Sequence, residues 1–233
     1  MTTKKDKMKA PETETEIGVD EAGRGPLFGR VYCAAVILPL EMDFSFIKDS
    51  KKFSSKKKIR EAADKIKQQA LAWSVSFSDE KTIDDLNILQ ATMKAMHTCI
   101  LDILPVNGTL WIDGNYFKPI TRVVNEEWHT VPFTCVEKGD STYYSIAAAS
   151  ILAKVARDDY ILDLCITHPY LVERYGLDKN KGYGAKKHMD GIREHGITEW
   201  HRKSYRPCDP YRERPANKEW SKDKPKPCVE IFE

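Results

Sequence analysis

The longest unbroken apolar stretch in the chain, Val31–Leu38, has the length of a buried strand. A membrane-spanning helix needs roughly 20 consecutive apolar residues, and no window approaches that. The stretch has company. Residues 16–23, 31–38, 71–77, 109–113 and 131–136 are all short, rich in β-branched, aromatic and aliphatic side chains, and bounded by Gly, Pro, Asp or Asn. These are five candidate strands. Ser54 or Ser55 can cap a helix carrying Ile59, Ala62, Ile66 and Ala70, and a second helical stripe runs Leu89, Met93, Met96, Ile100. A third helix, from about 144 to 165, holds the small run Ala147, Ala148, Ala149, Ser150 and then Ala153, which lets another backbone approach closely. Strands first, then strands alternating with helices, give an α/β or α+β class around one central sheet.

At 233 residues and 41% hydrophobic, the chain can bury a substantial core, which excludes global disorder or a fibrous repeat. Residues 1–15 are polar and aperiodic and read as a flexible arm. From Pro207 to residue 233, Pro210, Pro215, Pro225 and Pro227 among mixed charges read as an extended or disordered tail. Function is expected in one catalytic body over 16–206. The N-terminus has lysines but no apolar run behind them, and it also carries Asp and Glu, so neither a secretory signal nor a transit peptide is expected. The six cysteines form no C-x-x-C and read as reduced thiols, which fits the cytoplasm, or the nucleus in a eukaryote.

The net charge of +2, from 37 basic and 35 acidic side chains, hides an uneven spread. Residues 48–65 carry eight Lys or Arg against three Asp or Glu. Residues 174–206 carry nine against four, interleaved with Tyr175, Tyr183, Trp200 and Tyr205. Either cluster alone is compatible with a solvated helix face; together they suit a polyanion such as nucleic acid. Lys51, Lys52 and the basic run at 179–187 are candidate phosphate contacts, which position a duplex without reading its sequence.

The acids are more informative. Asp20 and Glu21 close the apolar Ile17-Gly18-Val19, Asp113 closes Leu110-Trp111-Ile112, and Asp140 follows the strand-like 131–136. Each alone has an ordinary reading as a cap, turn or ion-pair partner. As a group at the ends of core strands they would repel one another and be costly to desolvate unless cations compensate them. Oxygen-only ligation points to Mg2+ or Mn2+ rather than zinc, and two such ions can clamp a phosphodiester between them. Neighbouring strand residues face opposite ways, so Asp20 and Glu21 are expected to converge through a strand end or bulge between them. Asp158, beside Arg157, reads as a local ion pair.

The loop Gly23-Arg24-Gly25-Pro26-Leu27-Phe28-Gly29 has Phe28 where a dinucleotide fingerprint needs its third glycine, and it lacks the Gly-Lys-Ser/Thr of a P-loop. What remains is a small-profile loop whose backbone N–H groups a ligand can approach closely. His188, His195 and His201 have no helical ligand spacing and no cysteine to assist them, so a zinc site is disfavoured.

At these residues the chain resembles the ribonuclease HII family of type 2 ribonucleases H. The matching stretches are GVDEAGRGPLFG (18–29), DSKKFSSKKK (49–58), LNILQATMKAM (86–96), WIDGN (111–115), KGDSTYYSIAAASILAKVARD (138–158), KGYGAKKH (181–188) and HRKSYRP (201–207). The resemblance implies a ribonuclease H-like α/β fold: a central mixed five-stranded sheet flanked by helices, with a C-terminal helical portion. It implies a monomeric, metal-dependent endonuclease acting on RNA/DNA hybrids and on duplex DNA containing ribonucleotides. The cut falls on the 5′ side of the ribonucleotide and leaves a 3′-hydroxyl and a 5′-phosphate. By that resemblance Asp20, Glu21, Asp113 and Asp140 are the catalytic acids and hold two Mn2+ or Mg2+ ions. Gly23, Arg24 and Gly25 would sense the ribose 2′-hydroxyl, with Tyr183 stacked on the sugar. Phe28, Arg30 and Ala185 depart from the family pattern, and the stretch between Asp113 and Asp140 is long for it. The rival readings are a hybrid-binding module without catalysis, against which the four intact acids argue, and a phosphotransferase, against which the missing nucleotide loop argues. Whether the tail docks a replication protein is left open.

Overall fold

A computed structural model describes residues 8–124 and 126–211. Expectations that fall on 1–7 and 212–233 lie outside the described residues. The strands are β1 (Glu16–Ala22), β2 (Val31–Ile37), β3 (Ala72–Ser78), β4 (Thr109–Asp113), β5 (Thr121–Val124), β6 (Glu127–Thr130) and β7 (Phe133–Val136). The α-helices are α1 (Lys56–Gln69), α2 (Glu80–Leu86), α3 (Ile88–Ile103), α4 (Tyr144–Thr167), α5 (Tyr170–Tyr175), α6 (Leu177–Asn180) and α7 (Lys186–His195). All five expected strands and three expected helices are present. Among the described residues no helix is long and apolar enough to cross a membrane.

The chain divides into two compact units. One comprises the residues up to Ala22, Tyr32–Phe77 and Thr92–Ala156; the other comprises Gly23–Val31, Ser78–Ala91 and the chain from Arg157. The first unit is built on a mixed sheet of order β3-β2-β1-β4-β7. β1 runs antiparallel to β2 and parallel to β4, and β4 runs parallel to β7. This is the mixed five-stranded α/β sheet that the resemblance implied.

Helix α1 starts where Ser55 caps it, the hydroxyl accepting from the Lys58 N–H at 3.3 Å. It buries Ile59, Ala62, Ala63 and Ile66 in one core with Ala34 and Val36 of β2 and Ala147–Ala149 of α4. The small run of α4 is buried in this core, and the close backbone approach falls on the two residues just before it. A Cβ on Gly18 would lie 2.1 Å from the Ser145 carbonyl carbon and 2.4 Å from the Ile146 nitrogen, so the backbones of β1 and α4 touch directly. Ser145 also donates from its hydroxyl to Glu16 Oε1 at 3.1 Å.

Residues 8–15 differ from the expected arm. Lys9 N–H donates to the Thr142 carbonyl at 2.8 Å, Tyr144 N–H donates to the Lys9 carbonyl at 3.0 Å, and Met8 packs against the core. Polar composition had hidden backbone pairing, which any side chain can make. The long stretch between Asp113 and Asp140 holds the hairpin β5–β6, paired Thr121↔Thr130 through Val124↔Glu127.

In the second unit, Leu27 and Phe28 pack with Ile161, Cys165, Leu171, Tyr175, Leu177 and Ile192. The expected tail joins this core at its start: Cys208 is fully buried there, and the Tyr211 hydroxyl donates to the Ile192 carbonyl at 3.1 Å. The Asp84 carboxylate accepts from the Lys203 and Ser204 N–H groups at 2.9 and 2.7 Å. The five described cysteines are free thiols.

Because the obstacle at Gly18 is backbone, it has no side chain to swing aside. Gly18→Ala is expected to lower stability by about 3 kcal/mol or more. Urea unfolding monitored by far-UV circular dichroism checks this.

Candidate active site

The parallel ladder between β1 and β4 ends at Val19↔Ile112, so the next residues of the two strands, Asp20 and Asp113, come just past it at the same end of the sheet, Asp20 still paired with Ala34 of β2 and Asp113 with Val136 of β7. β7 ends beside Asp113, paired Asp113↔Val136, and the chain then turns through Lys138 into a 3-10 turn at Gly139–Ser141. That turn carries Asp140 back to Asp113, whose Oδ1 accepts from the Gly139 N–H at 2.7 Å. Three chain segments therefore supply one acidic corner.

Asp20 is buried at 5% exposure. Burial and the adjacent charges of Glu21 and Asp113 push its carboxyl well above the ordinary range, against hydrogen bonds from Ser150 and the Glu21 N–H, the latter 2.7 Å long. Burial also raises Asp113, with Asp140 adding to the rise and hydrogen bonds from the Gly139 and Asp140 N–H groups opposing it. Lys51 Nζ lies 3.2 Å from Asp140 Oδ2, and the contact holds the lysine above its ordinary value. Lys51 reaches that place because the Asp49 carboxylate accepts its N–H at 2.9 Å and caps a 3-10 turn at Ser50–Lys52. Lys52 pairs with Asp49 at 3.4 Å.

One expectation is corrected here. β1 does not end or bulge between Asp20 and Glu21; it continues in regular antiparallel register, Asp20↔Ala34, Glu21↔Cys33, Ala22↔Tyr32. β2 supplies hydrogen-bond partners past the point where β4 stops, so Glu21 acts on Asp20 by charge from the other side of the pleat. Among the described residues no three Asp, Glu, His or Cys side chains already form a chelating set. The donor chemistry nonetheless suits a hard divalent cation: oxygen ligands only, with one buried carboxylate pressed by two like charges and no matching buried cation of its own.

The second unit holds the glycine loop. Arg24 and Gly25 are exposed, whereas Gly23 and 26–29 are buried. Gly23 has φ +98°, and a Cβ there would lie 2.1 Å from Arg157 Nε. Gly25 is different: a Cβ would meet nothing closer than Tyr183 Cε1 at 3.7 Å. Tyr183 is 52% exposed beside it. Of the four aromatics expected to dot the basic surface, Tyr175 is buried and Trp200 and Tyr205 are half-buried, so Tyr183 alone is exposed. Lys181 is also buried, its ammonium donating to the Asp178 carbonyl at 2.9 Å, and so is not the surface contact expected within 179–187.

Sequence reasoning missed two residues. Arg157 does not simply pair with Asp158: it is buried and donates to the carbonyls of Phe28 at 3.2 Å and Lys181 at 2.9 Å, with burial pushing its guanidinium down to about 10. Arg202 is fully buried and donates to the carbonyls of Gly23, Arg24 and Gly29. Nothing in a basic run marks which guanidinium turns inward. The Nε2 atoms of His188 and His201 lie 3.1 Å apart in the core, and burial lowers both pKa values. The Thr198 N–H donates to His201 Nδ1 at 2.9 Å, so His201 carries its proton on Nε2, donates to His188, and leaves His188 Nδ1 to donate to the Tyr183 carbonyl at 2.9 Å.

The profile of the ribonuclease HII family matches residues 17–208, and the chain belongs to that family. It is 44% identical to the ribonuclease HII of Parabacteroides distasonis over 201 residues, 85% of this chain and 94% of that protein. It is also 44% identical to the ribonuclease HII of Neisseria gonorrhoeae over 191 residues, 82% and 91% of the two chains. Among solved structures, the fold is similar to ribonuclease H2 from Pyrococcus horikoshii, with TM-score 0.63, 20% identity, and coverage of 83% of this chain and 95% of that one. It is similar as well to Bst-RNase HIII in complex with Mn2+, with TM-score 0.61, 20% identity, and coverage of 83% and 68%.

Because the folded state raises the Asp20 carboxyl, it keeps that proton to higher pH than the unfolded chain does. Stability is therefore lost as pH rises above the unfolded value of about 4. In chelator, Asp20→Asn is expected to melt higher than the parent protein, with a gap that widens from pH 4 towards neutrality. Added Mn2+ should stabilise the parent and not the variant. Thermal melting with and without Mn2+ across this pH range measures both.

Proposed function

We propose that this chain is a divalent-metal-dependent endonuclease that hydrolyses the RNA strand of RNA/DNA hybrids. It also nicks duplex DNA on the 5′ side of an embedded ribonucleotide, leaving a 3′-hydroxyl and a 5′-phosphate. The observation that carries the reading is the buried Asp20 carboxylate under pressure from Glu21 and Asp113, in a chain of the ribonuclease HII family. Asp20, Asp113 and Asp140 would hold two Mg2+ or Mn2+ ions, with Glu21, next along β1, swinging its longer side chain round to join them, and the Mn2+ complex of a fold neighbour supports that choice of metal. Such ions supply a polarised attacking water and stabilise the leaving oxygen of a phosphodiester.

The chain's own residues do the rest. Asp113 is held by the Gly139 N–H, which fixes its carboxylate at the corner. Lys51, placed beside Asp140 by the Asp49 cap and exposed, would offer its ammonium to a substrate phosphate, and Lys52 would add a second phosphate contact. Gly25 leaves room for a sugar to lie against the backbone, and the exposed Tyr183 ring beside it stacks on that sugar. The 2′-hydroxyl distinguishes RNA from DNA, and a backbone that approaches this closely can bond it.

The test is a DNA duplex with one internal ribonucleotide, incubated with Mn2+ or Mg2+. One nick 5′ of the ribonucleotide is expected, abolished by chelator and reduced at least ~100-fold by Asp113→Asn, more than the loss typical of a residue behind a metal ligand. Uncut duplex, or undiminished cutting by that variant, overturns the reading. Gly25→Ala should melt like the parent, since its Cβ meets only ordinary contact. It should nevertheless lose most cleavage of the single-ribonucleotide duplex, and full activity would remove the loop from substrate recognition.

A further inference from the structure

Two buried arginines hold the glycine loop from behind, and their contacts end on backbone carbonyls. Arg202 Nη2 donates to the Gly23 carbonyl at 2.6 Å, Nη1 to the Arg24 carbonyl at 2.9 Å, and Nε to the Gly29 carbonyl at 2.8 Å. Nη1 also reaches the Tyr205 hydroxyl at 3.0 Å, and that hydroxyl in turn donates to the Arg24 carbonyl. In a trans peptide the C=O of one residue and the N–H of the next point opposite ways. With the carbonyls of Gly23 and Arg24 turned onto Arg202, the N–H groups of Arg24 and Gly25 are turned to the other side of the loop. Those two residues are the exposed ones, while Arg202 is fully buried.

Arg157 repeats the device one layer along. It joins the Phe28 carbonyl to the Lys181 carbonyl, and the Leu27 N–H donates to the Gly182 carbonyl at 2.8 Å, so the loop and the segment leading to Tyr183 are tied to one frame. A buried guanidinium is costly, and one that bonds only neutral carbonyls and a hydroxyl recovers less of that cost than one paired with a carboxylate. A stability role alone would be met more cheaply by an apolar side chain. Only a planar fork with several donors in fixed directions reaches three carbonyls at once, which lysine does not do.

We propose that Arg202 is a positioning residue for ribonucleotide recognition: it sets the peptide planes of Gly23 and Arg24 so that the following N–H groups present donors to the ribose. Arg202 touches no substrate; it acts through the loop. This rests on the reading of residues 23–25 as the ribose contact.

The experiment uses the full-length protein and three variants. In Arg202→Lys, amide hydrogen exchange at residues 24–30 should rise at least tenfold while exchange in β1 and α1 stays at the parent rate. On the single-ribonucleotide duplex kcat should fall at least tenfold with KM within threefold, because the phosphate contacts remain. Cleavage at a 2′-fluoro nucleotide in the same position should fall much less, so the preference for the hydroxyl shrinks. Tyr205→Phe, which leaves the guanidinium in place and removes one of the groups bonding the Arg24 carbonyl, should move both readouts in the same direction by a smaller factor, and it serves where Arg202→Lys fails to fold. Unchanged loop exchange in both variants overturns the role of Arg202 and leaves the ribose reading standing. Faster exchange with unchanged preference for the hydroxyl overturns the proposal from the other side, because the loop is then not the reader. Gly25→Ala, whose fold should be intact, confirms which of the two has failed.

Discussion

Everything in the acidic corner depends on the backbone of β1 lying directly against the first turn of α4. Gly18 allows it: the space for its Cβ is already taken by Ser145 and Ile146 main-chain atoms. The contact lies two residues before Asp20, and the same helix carries Ser150, which hydrogen-bonds the Asp20 carboxylate. Ser150 is held in turn by the Ser50 hydroxyl at 3.1 Å, at the start of the 3-10 turn that carries Lys51. A side chain at Gly18 would push α4 away and remove the polar support from behind the most buried acid in the corner. The small run after Ser145 continues the close packing, and for that reason it reads as alanine rather than leucine.

The corner is electrostatically unfinished without a cation. Acids from three segments come close here, and Lys51, which bonds Asp140 and acts on Asp20 by charge, has a side chain that is itself 80% exposed. An exposed ammonium is a weak neutraliser, since water screens it. Asp20 is therefore the costly end of the cluster: burial first, and then the charges of Glu21 and Asp113, raise its carboxyl. A fold that accepts this cost at a strand end, where the ladder to β4 has stopped, is arranged for something other than its own stability.

The sheet was largely legible because each core strand is a short apolar run ended by a residue that resists burial. β1, β2, β4 and β7 begin and end within two residues of where that pattern places them. Helix α1 was legible from its Ser55 cap and its Ile59–Ile66 spacing. The hairpin β5–β6 was not, because none of its residues is buried and the strands are only four residues long. Helices α5 and α6 are too short for a period to emerge. At the site, Asp113 closes β4 where the pattern placed it, Asp140 sits in the 3-10 turn after β7, and Asp20 was legible as the acid that follows the apolar start of β1. The unbroken run of β1 through Glu21 was not, because it depends on β2 pairing beyond the end of β4. Arg157 and Arg202 were misread for a simpler reason. A guanidinium among other charges looks like surface, and only the carbonyls it finds reveal that it is core.

The glycines make the same distinction from the other side. Gly18 and Gly23 are demanded by the protein itself, since main-chain atoms of α4 and the Arg157 side chain occupy the places of their Cβ atoms. Gly25 is demanded by nothing inside the chain: its φ is ordinary, and the nearest atom to a Cβ is at van der Waals distance. A glycine costs backbone entropy, so one that neither conformation nor packing requires is best explained by a partner from outside. That partner lies against an exposed loop tip whose carbonyls are turned inward onto Arg202, next to an exposed tyrosine ring. The ribose of the proposed substrate would suit both neighbours, with the tyrosine ring against its face and the outward N–H groups turned towards its hydroxyl. The loop's shape is therefore set from within by a buried cation, and its one unforced glycine is kept clear for the ligand.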